Sequence, residues 1–362
     1  MSSGETQPAH GEEGADVRLK AVVVLGMCAA ALACAAAPPA LAPTRLTDGA
    51  AAHRKPAWSP DGQWVAYVAT GSWGDAVCVA RRSDGITHAV TGALEGSVVG
   101  RLQWLADPMR VAWVTDHGHV GTLGLTGEVV TAELSLPTEP RGLATLDKGH
   151  ALAACSGSSV VELQGALAGA ATPLPIGSVN SDIASIAATP DGEGLVIVDA
   201  GSALLWRRGE DTRALLAPSA AVAEWCAVSS AEGCESVIVT ARGRKARMPD
   251  RVCALDPRTG SVATVLEVTS AVAEAVPVPG TGAIVAIVAG RLTLIAQPGA
   301  DAVTAPSGSF TDSDPSVSPD GALVVFSSAG RDDTNLNGRI DPGDPPNLYT
   351  CRLRADEGGP AG

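Results

Sequence analysis

Residues 333–344 read Asp-Thr-Asn-Leu-Asn-Gly-Arg-Ile-Asp-Pro-Gly-Asp, and every specified position fits the twelve-residue loop that wraps a hard cation. Such an ion takes six to eight oxygens, so the pattern turns alternate residues inward. Asp333, Asn335 and Asn337 would supply side-chain oxygens, Arg339 its backbone carbonyl, Asp341 a direct or water-bridged contact, and Asp344 the closing carboxylate. Gly338 allows the sharp turn, and Ile340 is expected to face the protein. The cation this donor set selects is calcium. With three carboxylates and no flanking helices, affinity is expected at roughly 10⁻⁴ to 10⁻³ M, with a structural role of tying down a long insertion.

Two other stretches carry charge or ligating groups. Arg242, Arg244, Lys245, Arg247 and Arg251 make a basic segment in a chain whose net charge is −14. That segment could hold an acidic protein, a small anionic molecule or a polysaccharide. His117 and His119 form a His-Gly-His tip on the same predicted face. The acidic balance excludes a nucleic-acid partner. No nucleophile elbow, zinc-protease motif or phosphate-binding loop is present, so the spacing of residues predicts no catalytic site and a non-catalytic binding scaffold. The alternative is a propeller hydrolase or lyase whose carboxylates assemble at the rim of a central channel.

The elements that must position these residues follow from self-similarity. Ser59-Pro-Asp-Gly62, Thr189-Pro-Asp-Gly192 and Ser318-Pro-Asp-Gly321 repeat one turn, their Asp residues 130 and 129 apart. Each interval holds three units of about 43 residues, within the 40–45 of four-stranded propeller blades. Weaker copies occur at Asp107-Pro108, Lys148-Gly149, Glu232-Gly233 and Pro279-Gly280. Each unit alternates apolar residues and breaks at Gly-containing turns, as short antiparallel strands do. Aromatics are few, with Trp 7 against Tyr 2 and Phe 2, while Gly 41 and Pro 25 supply frequent turns. The expected fold is an all-β, seven-bladed β-propeller, with six or eight blades as alternatives. The last unit lacks its outer strand after Asn347–Leu353, and Thr44-Arg-Leu-Thr-Asp-Gly49 matches the fourth strand of the first unit. An N-terminal strand therefore completes the last blade and seals the ring, which removes exposed sheet edges. Residues 43–355 form this domain, and 356–362 a Gly-rich tail.

Residues 1–42 read as a targeting segment. Arg18 and Lys20 precede the apolar run 21–36, and small residues follow. A cut after Ala42 or after Ala36, an uncleaved anchor, and a lipid on Cys34 within Leu-Ala-Cys are the alternatives, all implying export to the periplasm, envelope or exterior. The six cysteines beyond this segment are buried thiols or disulfides.

The run Pro-x-Trp-Ser-Pro-Asp-Gly before an alternating strand resembles the WD-like repeats of TolB-type β-propellers of bacterial envelopes, sharply in units one, four and seven. The resemblance implies the fold, and an envelope setting with protein or ligand binding. It departs from TolB itself in having seven units and no N-terminal α/β domain, so a Tol-system partner does not carry over. Asp at the last loop position resembles dockerin-type and other extracellular calcium loops.

Overall fold

A computed structural model describes residues 41–353 apart from 135, 137, 165–171, 179–181, 200, 208–211, 217–221, 232–233, 244–247, 297–301, 306–309, 334–338 and 342–343. Residues 1–40 and 354–362 fall outside these. The described chain is all-β with seven four-stranded antiparallel sheets, the blades of a propeller. Their innermost strands are Ala52–Trp58, Val98–Leu105, Pro140–Leu146, Ile183–Ala188, Val222–Ser229, Val272–Pro277 and Thr311–Val317, numbered here as blades 1 to 7.

The repeated turn explains why each hairpin forms where it does. In blade 1, Gly62 N–H donates to Ser59 O (2.9 Å), Gln63 N–H to Asp61 Oδ1 (3.0 Å) and Trp64 N–H to Ser59 Oγ (2.9 Å). The last two bonds recur at Asp191 and Thr189, and at Asp320 and Ser318. Gly62 sits at φ +67, where a side chain would be strained.

Packing between blades supplies the core. Seven buried clusters occur, each spanning two neighbouring blades; one joins Val68, Val77 and Val79 of blade 1 to Trp104, Val111 and Trp113 of blade 2. Trp113 is 1% exposed, and its ring covers Gly121 on the paired strand so closely that a Cβ there would lie 2.2 Å away. Carboxylates, buried at Asp75 and Asp312 and half-buried at Asp250, stitch junctions by accepting backbone N–H groups across them. Asp75 takes Val98 N–H, Asp250 takes Val272 N–H and Asp312 takes Leu292 N–H, each at 3.0 Å. Cys78, Cys155, Cys253 and Cys351 are buried free thiols.

The ring closes as the sequence predicts. Thr44 and Arg45 pair with Thr350 and Tyr349, completing blade 7. Leu41, placed above in the targeting segment, is 1% exposed and packs with Phe326 and Tyr349. A buried polar knot locks the seam: His53 Nδ1–H donates to Asn347 Oδ1 (2.8 Å), Leu348 N–H to Thr47 Oγ1 (3.0 Å), and Ser327 Oγ to His53 O (2.8 Å).

Burial, opposed by the Asn347 bond, holds the His53 imidazole below its ordinary value of 6.5. The folded state thus binds this proton less readily than the unfolded chain, so stability is full above 6.5 and falls as pH drops below it. The unfolding midpoint is expected to decline between pH 6.5 and the folded-state value, above most carboxylate titrations, and His53→Gln is expected to flatten that segment. A thermal-unfolding series against pH for both proteins checks this.

Candidate functional site: the bulged belt of the central channel

The seven innermost strands do not pair evenly with their neighbours. Every one is interrupted by a register shift, at Arg54/Ala57, Val99/Gln103, Pro140/Gly142, Ile183/Ser185, Val222/Glu224 with Trp225/Ala227, Val272/Glu274 and Ser313/Ser316. Such bulges re-aim side chains and are common beside active sites. Counting four residues back from the end of the first hairpin strand (Ser59, Leu105, Leu146, Thr189, Ser230, Val278, Ser318) gives equivalent positions in all seven blades: Lys55, Arg101, Gly142, Ser185, Cys226, Glu274 and Asp314. The belt is therefore divided. Blades 6, 7, 1 and 2 contribute charges, and blades 3, 4 and 5 contribute small residues.

The charged half is interconnected. Arg101 Nη2 lies 2.8 Å from Glu274 Oε2 and Nη1–H donates to Pro315 O (3.2 Å), so one guanidinium from blade 2 reaches blades 6 and 7. Blades 7 and 1 lie between them around the ring, so this ion pair spans the channel. Lys55 Nζ donates to Val98 O (2.7 Å). Lys55 and Asp314 both adopt left-handed backbone, at φ +53 and +51, a conformation costing non-glycine residues roughly 1–3 kcal/mol and concentrated at functional sites.

Protonation follows from enclosure. Burial pulls the Lys55 amine below its ordinary 10.5, with Asp314 opposing and Arg54 adding to the fall. Burial raises the Glu274 carboxyl above 4.5, with Arg101 opposing and Asp314 adding. Glu274 is closed in by protein on most sides, though the channel leaves 30% of its side chain accessible.

In the small half, a Cβ on Gly100 would lie 2.7 Å from Gly142 Cα, so the backbones of blades 2 and 3 touch there. A cavity of about 580 Å³ borders Arg101, the one belt residue that lines it, and runs along the hairpin turns past Gln103, Thr145, Lys148, Asp191 and Ser229. Arg207 neutralises the Asp191 carboxylate at 2.8 Å.

Residues singled out by sequence lie elsewhere. Asp344 is 2% exposed and its Oδ2 accepts Asp341 N–H at 2.8 Å, so these two ends of the loop meet. Asp333 and Arg339 are described, whereas Asn335 and Asn337 lie outside the described residues. Ile340 does not face the protein: it is 56% exposed. In the basic segment Arg251 pairs with Glu267 at 2.7 Å, Arg242 is exposed, and Arg244, Lys245 and Arg247 lie outside the described residues. His119 faces Glu95 at 3.5 Å; His117 shares its hairpin tip in blade 2. Sequence reasoning missed the belt. Its one local signal was proline inside a strand, in Lys55-Pro56 and Asp314-Pro315, which marks a bulge.

No protein-family model and no curated protein matches this chain in sequence. Solved structures match in fold. Oligogalacturonate lyase from Vibrio parahaemolyticus is similar at TM-score 0.65 and 10% identity over 88% of this chain and 98% of its own. An oligogalacturonate lyase in complex with manganese is similar at 0.64 and 12%, over 88% and 98%. A streptogramin B lyase is similar at 0.63 and 12%, over 86% and 97%. At such identities the likeness establishes the seven-bladed fold. It also corrects the expectation of a non-catalytic chain, since these three neighbours are propeller-fold lyases. Residues that meet from separate strands leave no contiguous motif to read.

The manganese of one neighbour finds no counterpart in this donor set. Among the described residues no three His, Cys, Asp or Glu side chains gather. The two belt carboxylates share their wall with Lys55 and Arg101, and a divalent ion between them would face two cations. The described histidines are elsewhere: His53 in the seam, His88 against Trp64, His117 and His119 at a hairpin tip, and His150 on the surface.

The belt's electrostatics have a direct readout. With lysines reductively labelled by ¹³C-methyl groups, the Lys55 resonance is expected to titrate below 10.5, and Asp314→Asn is expected to lower it further by removing the largest opposing charge. An unshifted titration in both proteins contradicts the enclosed amine.

Proposed function

We propose that this chain is a propeller-fold lyase working in the central channel on a carboxylate-bearing substrate. The observation that carries the reading is the mixed-charge cluster of Lys55, Arg101, Glu274 and Asp314, raised on equivalent bulges beside a cavity large enough for a small ligand. The similarity in fold to lyases supports the same class.

Elimination beside a carboxylate needs three things: a cation on the carboxylate, a base for the α-proton, and an acid for the departing oxygen. Arg101 suits the first, because its planar fork has donors beyond the two engaged by Glu274 and Pro315. A substrate carboxylate arriving at Arg101 displaces Glu274. Lys55, whose amine is shifted toward neutrality, takes the α-proton; the electron pair becomes the new C=C as the β C–O bond breaks. Glu274, whose carboxyl is shifted toward the protonated form, supplies the proton to the leaving oxygen. No oxidant is consumed.

A panel of acidic oligosaccharides, followed by the ultraviolet absorbance of the new double bond, tests this. At least one substrate is expected to turn over, with Lys55→Met and Arg101→Gln each lowering kcat/KM by about 10²–10⁴-fold. Turnover untouched by either change, or no turnover across the panel, contradicts the reading.

Around this activity we place the remaining expectations from sequence. The WD-like repeat resembles TolB-type propellers, and the apolar run 21–36 supports export to a bacterial envelope, with a lipid on Cys34 as one means of attachment. The loop 333–344 would bind calcium as a staple, a reading supported by the convergence of Asp341 and Asp344. Calcium at ten times its dissociation constant is expected to stabilise the fold by about 1.4 kcal/mol, visible as a raised unfolding midpoint that Asp344→Asn removes. An identical midpoint in chelator leaves the loop as a turn.

A further inference from the structure

The belt's donor set differs in kind from one built around a divalent ion. Seven equivalent positions could each present a ligand, and none of them is histidine. Lys55 and Arg101 instead occupy adjacent blades on the wall shared with Asp314 and Glu274. Arg101 is held over the axis from two directions, by Glu274 at 2.8 Å and Pro315 O at 3.2 Å, and the Lys55 ammonium is anchored 2.7 Å from Val98 O. Both side chains are thus held in place before any ligand arrives, which is the condition under which charge stabilisation is most effective.

We infer that Lys55 and Arg101 do in this channel what a metal ion does in a metal-dependent lyase, so that the chain binds and transforms its anionic substrate without a divalent cation. The inference rests on the lyase reading above. It adds a division of labour. Arg101 carries the substrate carboxylate in the ground state and as charge builds on it while the α-proton leaves. Lys55 gives up its own proton to solvent before binding, takes the α-proton, and is ammonium beside the developing charge afterwards. The proton lost from carbon ends on Lys55 and the one on the leaving oxygen comes from Glu274, so the pair is reset by one proton exchange with solvent or between the two residues. The cavity that Arg101 borders, extending past Gln103, Thr145 and Ser229, takes the body of the ligand.

The test uses the full chain, exhaustively treated with chelator, and a galacturonic acid trimer as probe, with a galactose trimer as its neutral control. Calorimetry is expected to give the same affinity for the acidic trimer with chelator and with added manganese, no affinity for the neutral one, and at least about a tenfold loss in Arg101→Gln. Lys55→Arg, which keeps the charge and cannot deprotonate, is expected to bind the trimer and to abolish turnover of whichever panel substrate reacts. Lys55→Met covers the case in which the bulkier arginine prevents folding. Manganese that binds and is unaffected by Glu274→Gln and Asp314→Asn lies outside the channel and agrees with the inference. Turnover lost in chelator and restored by manganese, with manganese binding abolished by those two substitutions, overturns it while leaving the lyase reading intact. Chelator-insensitive trimer binding through Arg101 with no turnover anywhere keeps the cation pair as the anion holder and sinks the lyase reading instead. Absence of trimer binding under both conditions overturns the inference.

Discussion

Seven sheets pack around one axis, and in every blade the innermost strand is interrupted by a register shift. The shift lifts Lys55, Arg101, Cys226 and Asp314 out of the ladder, while Gly142, Ser185 and Glu274 stand at its edge, paired with Cys155, Val198 and Ile287. Blade packing over-determines these conformations: the core clusters cross every junction, and the carboxylates of Asp75, Asp250 and Asp312 bind backbone donors across three of them. That surplus can hold Lys55 and Asp314 in left-handed geometry. The scaffold is symmetric in backbone and asymmetric in the side chains it lifts inward.

From that asymmetry the chemistry follows. Charges of both signs on one arc restrain each other, so none is left unpaired in an enclosed space. The arrangement moves an amine and a carboxyl toward neutrality from opposite directions, the pattern by which one site acquires a base and an acid together. Of these charged residues, Arg101 lines the cavity.

Sequence revealed the parts of this structure that depend on local chemistry. Ser59 and Asp61 bond to backbone atoms within five residues, so their turn leaves a readable signature, and its recurrence at 189 and 318 gave blade number and closure. The weaker modules were still legible through spacing, since each must supply four strands. The belt was not legible, because Arg101 and Glu274 are 173 residues apart in the chain and meet only when the ring closes. The basic segment around Arg251 drew attention for its composition, yet Arg251 is matched by Glu267 within its own blade. Composition identifies unusual residues; only topology identifies convergent ones.

The most direct test is a crystal structure of the full chain soaked with an acidic oligosaccharide in the presence of chelator. A carboxylate bound within hydrogen-bonding distance of Arg101, close to Lys55 and with Glu274 displaced, is the predicted result. A ligand seated on the basic segment or the 333–344 loop, with the Arg101–Glu274 pair intact and the channel empty, would contradict the account.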